Sequence, residues 1–199
     1  MIEDIDLSRN PLATWRAMED IVRQGKARHI GISNFNIRRT RSLVEHIEAQ
    51  GGIKPTFNQV EVNLRCPNAP LQSACKRLGI TLEAYSPLGS AENVADYLSH
   101  ATVQAIASRL HATPAQILLA WPLARGIVTL AKSVNPARIE ENWGASRLAG
   151  SLREDEVRAL IEVAEEQGGR GRVVRTVDPT EAWGVEDDIF EDGVDQARL

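Results

Sequence analysis

Gly25-Lys26-Ala27-Arg28-His29-Ile30-Gly31-Ile32-Ser33-Asn34-Phe35-Asn36 joins a helix stop, a short apolar run and the start of a second helix. Upstream of it, Trp15, Met18 and Val22 recur at helical spacing, and Gly25 can stop that helix because glycine tolerates the left-handed backbone of a helix end. Residues 28–32 then form a short apolar run that reads as a strand. Asn36 can cap a second helix running to about Ala49, with Leu43, Val44 and Ile47 on one face and Gly51-Gly52 as its stop. Helix, strand and helix thus follow one another within about forty residues.

The same unit repeats downstream. Residues 56–62 are the next strand candidate, followed by a helix near 71–77 that ends at Gly79. Residues 80–84 alternate and read as a third strand. Val103, Ile106, Ala107 and Leu110 mark a helix by their spacing. Thr113-Pro114-Ala115-Gln116 carries a hydroxyl cap, a first-turn proline and a glutamine three residues after the cap, so a helix opens there and ends at Arg125-Gly126. Residues 127–131 are a fourth strand, apolar enough to be buried on both faces. Asn135-Pro136 caps a further helix. Ser151-Leu152-Arg153-Glu154 reads as a capping box opening the last one, with Val157, Leu160, Ile161 and Ala164 inward.

Strand–helix alternation at these spacings predicts α/β architecture with parallel β/α units. Four strands do not close a parallel barrel, which takes eight. A small open α/β sheet and one half of a barrel both satisfy the spacing. Residues 1–167 are expected to form this unit. Periodicity stops beyond Gln167, and residues 168–199, Gly-rich and then acidic, read as an extended tail.

Composition narrows the function. The chain has 199 residues, is 43% hydrophobic and carries a net charge of −4. An acidic balance argues against nucleic acid or an anionic membrane as main partner, because both need a basic face. No secretory leader pattern opens the chain and no apolar run reaches the roughly 18 residues of a membrane span, so a cytoplasmic protein is the expectation. Cys66 and Cys75 match no common metal or redox spacing, and His29, His46, His100 and His111 lie apart, so no metal site is expected. Gly168-Gly169-Arg170-Gly171 follows no strand and does not read as a phosphate loop.

Four strings taken in order are far more specific. Residues 25–35 end in Ser33-Asn34-Phe35. Lys54-Pro55-Thr56-Phe57-Asn58-Gln59-Val60-Glu61 follows, then Ala84-Tyr85-Ser86-Pro87-Leu88-Gly89, then Ala131-Lys132-Ser133-Val134-Asn135-Pro136-Ala137-Arg138-Ile139-Glu140-Glu141-Asn142. Together, across roughly residues 12–166, they resemble the C-terminal half of the aldo-keto reductase family. The resemblance implies a partial (β/α)8 barrel, NADP(H) as cofactor, and reversible reduction of an aldehyde or ketone to an alcohol.

It also implies roles. Tyr85, a flat aromatic at a strand end, would stack on the nicotinamide ring. Ser33, Asn34 and Gln59 would supply the donors and acceptors its carboxamide needs. Ser86, Leu88 and nearby backbone would face the pyrophosphate. Lys132, Ser133 and Arg138 would hold a 2′-phosphate, with Val134 in the same stretch and free N–H groups expected at the Asn135-Pro136 helix start. Glu141 and Asn142 would meet the adenine. Ala131 stands where many members have proline.

The family keeps its catalytic aspartate, tyrosine, lysine and histidine on strands that precede the four matched here, so no catalytic residue is assigned. Tyr97 is placed in a variable loop and is not drafted as the proton donor. Trp183-Gly184-Val185 and Asp188-Ile189-Phe190 resemble a C-terminal loop that closes over substrate. The expectation is therefore a truncated reductase, whose small carbonyl substrate requires the other half. A non-catalytic NADP-binding or partner-binding derivative is the alternative, and self-association through open sheet edges is expected of the chain alone.

Overall fold

The computed structural model describes residues 11–89, 91 and 93–167. The expected tail at 168–199, with its glycines and its Trp183 and Phe190 motifs, lies outside the described residues, as do residues 1–10 and the side chain of Ala164. In order, the elements are α1 (Pro11–Arg23), β1 (Gly31–Ser33), α2 (Ile37–Ala49), β2 (Phe57–Glu61), α3 (Ala69–Arg77), β3 (Thr81–Tyr85), α4 (Val94–Ser99), α5 (Ala101–Leu110), α6 (Pro114–Ala124), β4 (Val128–Thr129), α7 (Pro136–Gly144), two short 3-10 turns and α8 (Glu154–Gln167).

One four-stranded sheet runs β1-β2-β3-β4, every pair parallel. Sequential order without reversal is the order of a barrel segment, since a doubly wound open sheet reverses at a switch point. Burial agrees. Asn58, Val60, Leu82 and Ala84 are buried, and the last three share one apolar core with Val44, Ala74, Val103, Ile117 and Trp121 of the helices. The alternate positions Ser33, Gln59, Thr81, Glu83 and Tyr85 are only half-buried. A doubly wound sheet would cover both faces with helices. Gly31 has its own reason: a Cβ there would stand 2.8 Å from the Phe57 carbonyl oxygen.

Local chemistry explains the helix ends. Asn36 Oδ1 accepts from Arg39 N–H at 2.8 Å, and Thr113 and Gln116 form the expected reciprocal capping box. Gly51 and Gly79 take left-handed backbone just past α2 and α3.

Four expectations are corrected. The first strand lies at Gly31–Ser33 rather than 28–32, although Ile30 already accepts from Thr56 N–H at 2.8 Å. The fourth strand shrinks to Val128–Thr129 and is not buried on both faces: Val128 is 39% and Leu130 40% exposed, because β4 has a described neighbour on one side only. Tyr97 sits in α4, not in a loop; it is 1% exposed and its hydroxyl donates to Asn63 Oδ1 at 3.1 Å. At α8 the expected box at Ser151 does not form: the reaching carboxylate is Glu156, which accepts from Arg153 N–H at 2.9 Å, and arginine has no acceptor to return the bond.

Glu156 also receives Arg109 Nε at 2.6 Å, closing α5 onto α8. Burial by itself would raise this carboxyl, but the Arg109 and Arg153 hydrogen bonds and charges outweigh it and hold the pKa below the ordinary carboxylate value. A depressed folded pKa adds stability that is fully present above the unfolded value, about 4.3, and is lost as pH falls through the folded value. Glu156→Gln should therefore be less stable than the parent at neutral pH, with the difference closing below about pH 4. Denaturant melts at several pH values check this; parallel pH profiles would contradict it.

Candidate cofactor site

The C-terminal ends of β1, β2 and β3 bring four of the expected residues together. Ser33 Oγ and Asn34 N–H both donate to the Gln59 carbonyl oxygen, each at 3.0 Å. The Tyr85 hydroxyl donates to Asn34 Oδ1 at 3.1 Å across a sequence separation of 51 residues. Gln59 Nε2 donates to Glu83 Oε2 at 3.1 Å. All five side chains are half-buried on the sheet face that the helices leave open.

The backbone is bent where it meets this cluster. Asn34 and Ser86 have φ of 59° and 47°, each one residue beyond a strand end. Asparagine tolerates left-handed backbone better than most residues, and serine less well, so strain is concentrated at the strand mouths. Two asparagines offset it. Asn58, fully buried, donates to the Phe35 carbonyl at 2.8 Å and pins the turn after β1. Asn63 donates to the Ser86 carbonyl at 3.3 Å and pins the turn after β3. Sequence reasoning assigned neither. Only their partners across the sheet reveal them.

Ser86 opens a tight turn in which Gly89 N–H donates to the Ser86 carbonyl at 2.9 Å. Gly89 is required there: with φ of 76°, a Cβ would collide with Asn93 and Tyr97 of the α4 region. Leu88 packs its side chain against the core, so what it offers outward is main chain.

The remaining residues gather after β4. Lys132, Val134 and Arg138 are exposed, and among the described residues neither cation forms an ion pair. Ser133 Oγ accepts from Asn135 N–H at 3.1 Å. The expected free N–H groups at the start of α7 are absent. Asn135 Oδ1 accepts from Ala137 at 3.0 Å and Arg138 at 3.4 Å, its carbonyl takes Ile139, and Pro136 has no N–H. An anion here would meet side chains rather than helix backbone. Glu141 is also occupied: its carboxylate accepts from the Thr113 hydroxyl at 2.6 Å and its carbonyl from Gln116 Nε2 at 3.0 Å, fastening α7 to the start of α6. Asn142 is half-buried beside it. Val134, Ile139 and Trp143, at 83%, 52% and 71% exposure, leave an apolar ledge along this loop and helix.

Residues 1–165 match the aldo/keto reductase family. This chain belongs to that family. The aldo/keto reductase relatives include glycerol 2-dehydrogenase (NADP(+)) of Hypocrea jecorina, 38% identical over 89% of this chain and 53% of its own length. Aldose reductase B of Dictyostelium discoideum is 43% identical over 65% of this chain and 40% of its own. Among solved structures, a Bombyx mori aldo-keto reductase in complex with NADP superposes with a TM-score of 0.75 at 30% identity, covering 88% of this chain and 55% of that one. The aldose reductase of Giardia lamblia gives 0.74 at 33%, covering 88% and 56%. The chain thus spans about half the length of the curated relatives it matches. These structural neighbours have the TIM-barrel fold, which accounts for the sequential parallel sheet with one open face.

Proposed function

We propose that this chain carries the NADP(H)-binding part of a reductase that interconverts an aldehyde or ketone with its alcohol. The observation that carries the proposal is the convergence of Ser33, Asn34, Gln59 and Tyr85 on adjacent strand ends of a sheet whose β4 leads on to Lys132 and to Arg138 of α7, two cations that form no ion pair among the described residues. Active sites of β/α barrels lie at that end of the strands.

The residues fit the cofactor chemically. Tyr85 offers a ring that can stack on nicotinamide, and Ser33, Asn34 and Gln59 offer both donors and acceptors to its carboxamide. Ser86 and the Leu88 backbone border the space for a pyrophosphate. Lys132, Ser133 and Arg138 suit a 2′-phosphate: arginine binds it with a planar fork, lysine as a point charge. Glu141 and Asn142 would meet the adenine, Glu141 while also holding Thr113, and Val134 lies in the same stretch as the phosphate-binding side chains. The bound nicotinamide supplies hydride; the protein orients the ring and excludes water around it.

The substrate class is a small carbonyl compound, the setting cytoplasmic, and neither nucleic acid nor membrane is a partner; the net charge of −4 supports the last two. No helix among the described residues is long and apolar enough to cross a membrane. Among the described residues the outer edges of β1 and β4 pair with no strand, and this, with the exposed Val128 and Leu130, supports self-association of the 199-residue polypeptide.

The proposal is tested by titrating the purified chain with NADPH and NADH by calorimetry, with carbonyl reduction assayed in parallel. The expected result is binding that prefers NADPH, without turnover above background, since none of the residues named here is a proton donor for the carbonyl. Failure to bind either nucleotide would overturn the cofactor assignment, and robust turnover would mean that the chain supplies its own proton donor.

A further inference from the structure

Four side chains stand in one row across the open face of the sheet. Strand register pairs Ser33 with Gln59, Gln59 with Glu83, and Glu83 with Val128. In a closed barrel this face lines the interior, where bulky branched apolar residues dominate. A glutamate in that row is costly to enclose, because a carboxylate away from water needs compensating hydrogen bonds. Among the described residues no lysine or arginine pairs with Glu83; its partner is Gln59 Nε2 at 3.1 Å.

That single contact has a directional consequence. A side-chain amide has a donor end and an acceptor end of nearly equal size, whereas a carboxylate only accepts. Glu83 therefore forces Gln59 to turn its NH2 group toward β3 and leaves Oε1 as the free end. The same logic acts next door. The Tyr85 hydroxyl donates to Asn34 Oδ1, which leaves Asn34 Nδ2 as the free end. One free acceptor and one free donor on adjacent strand ends complement the amino group and the oxygen of a single carboxamide.

We propose that Glu83 is a positioning residue for the cofactor. It fixes the direction of the Gln59 amide, so that this residue accepts a hydrogen bond from the nicotinamide carboxamide. The inference rests on the cofactor reading given under Proposed function. It adds a residue that touches the ligand only through another side chain. It also explains why Glu83 shares the strand face of Tyr85, since Thr81, Glu83 and Tyr85 alternate with the buried Leu82 and Ala84.

The test uses Glu83→Gln and Glu83→Ala in the full chain, titrated calorimetrically with NADP+, with its 3-acetylpyridine analogue and with 2′,5′-ADP, alongside thermal melts. The acetylpyridine analogue keeps the carbonyl oxygen but lacks the amino group, and 2′,5′-ADP lacks the nicotinamide altogether. The parent should bind NADP+ more tightly than the analogue by about tenfold, the worth of one hydrogen bond. Glu83→Ala should lose most of that preference and Glu83→Gln part of it, because a glutamine there can turn either its oxygen or its NH2 toward Gln59; both should bind 2′,5′-ADP with unchanged affinity. Glu83→Gln matches the parent in shape, so a packing role would leave its preference intact. An unchanged preference in Glu83→Gln, or an equal loss of 2′,5′-ADP binding, would overturn the positioning role. If the parent bound none of the three, the cofactor reading itself would fall, and this inference with it.

Discussion

Trp121→Ala is expected to cost about 3–5 kcal/mol, the range for deleting a buried aromatic from a packed core. Trp121 is fully buried in the C-terminal part of α6. Its indole N–H donates to the Val157 carbonyl at 3.1 Å, tying α6 to α8, and the Arg125 guanidinium lies over its ring at 4.8 Å from the centroid. That arginine in turn reaches Gln72 Oε1 at 2.8 Å and the Pro67 carbonyl at 2.7 Å. Burial pushes its pKa down to about 10, which still leaves it charged at neutral pH. Truncation thus opens a cavity, removes the hydrogen bond between α6 and α8 and takes away the platform under the Arg125 guanidinium. Typical domains hold about 5–15 kcal/mol in total, so most of the stability is at risk. Trp143→Ala is the control: at 71% exposure it should change stability by less than about 0.5 kcal/mol. Urea melts of both variants decide the matter, and a Trp121→Ala loss no larger than that of Trp143→Ala would contradict the placement of the core.

Arg138→Ala is expected to weaken NADPH binding by about 1.5–3 kcal/mol, roughly 10- to 150-fold, the worth of a hydrogen bond to a charged group. NADH, which lacks the 2′-phosphate, should lose almost nothing. The prediction is sharpened by the capping at α7. Because Asn135 already takes the Ala137 and Arg138 N–H groups, backbone cannot substitute for the lost guanidinium. Lys132→Ala should act in the same direction but more weakly, since an ammonium is a point charge on a flexible stem. Salt should shrink the preference as well, because both cations are exposed. Equal weakening toward NADPH and NADH would remove the phosphate role from Arg138.

Much of the architecture was legible along the chain because its signals are local. Asn36 and Thr113 announce their helices through side chains that cap backbone three residues away. Ser33, Asn34, Gln59 and Tyr85 were legible as chemistry at strand ends, and the sheet brings them into one hydrogen-bonded group. The losses came where the deciding partner is distant. Asn58 holds Phe35, Asn63 holds Ser86, and Glu83 orients Gln59, all across neighbouring strands whose register no local pattern states. Glu141 offered a polar helix position and turned out also to fasten Thr113. Tyr97 read as loop because α4 has only 6 residues, too few to show a helical period. The exposure of β4 reflects its place at the sheet edge, which an apolar run cannot report. The capped start of α7 is different: the signal was present, since an asparagine at that position consumes the very N–H groups assigned to the anion.

In the proposed complex NADP(H) lies across the mouths of β1, β2 and β3 and along the β4–α7 loop. Amide hydrogen exchange of the 199-residue chain, followed with and without saturating NADPH, locates the ligand without requiring turnover. The account predicts slowed exchange in peptides covering Ser33–Phe35, Gln59–Glu61, Tyr85–Gly89 and Lys132–Asn142, with little change in α5 and α8. Slowed exchange confined to other surfaces, such as the groove between α1 and α2 lined by Arg16, Arg23 and His46, would contradict it, as would no change anywhere.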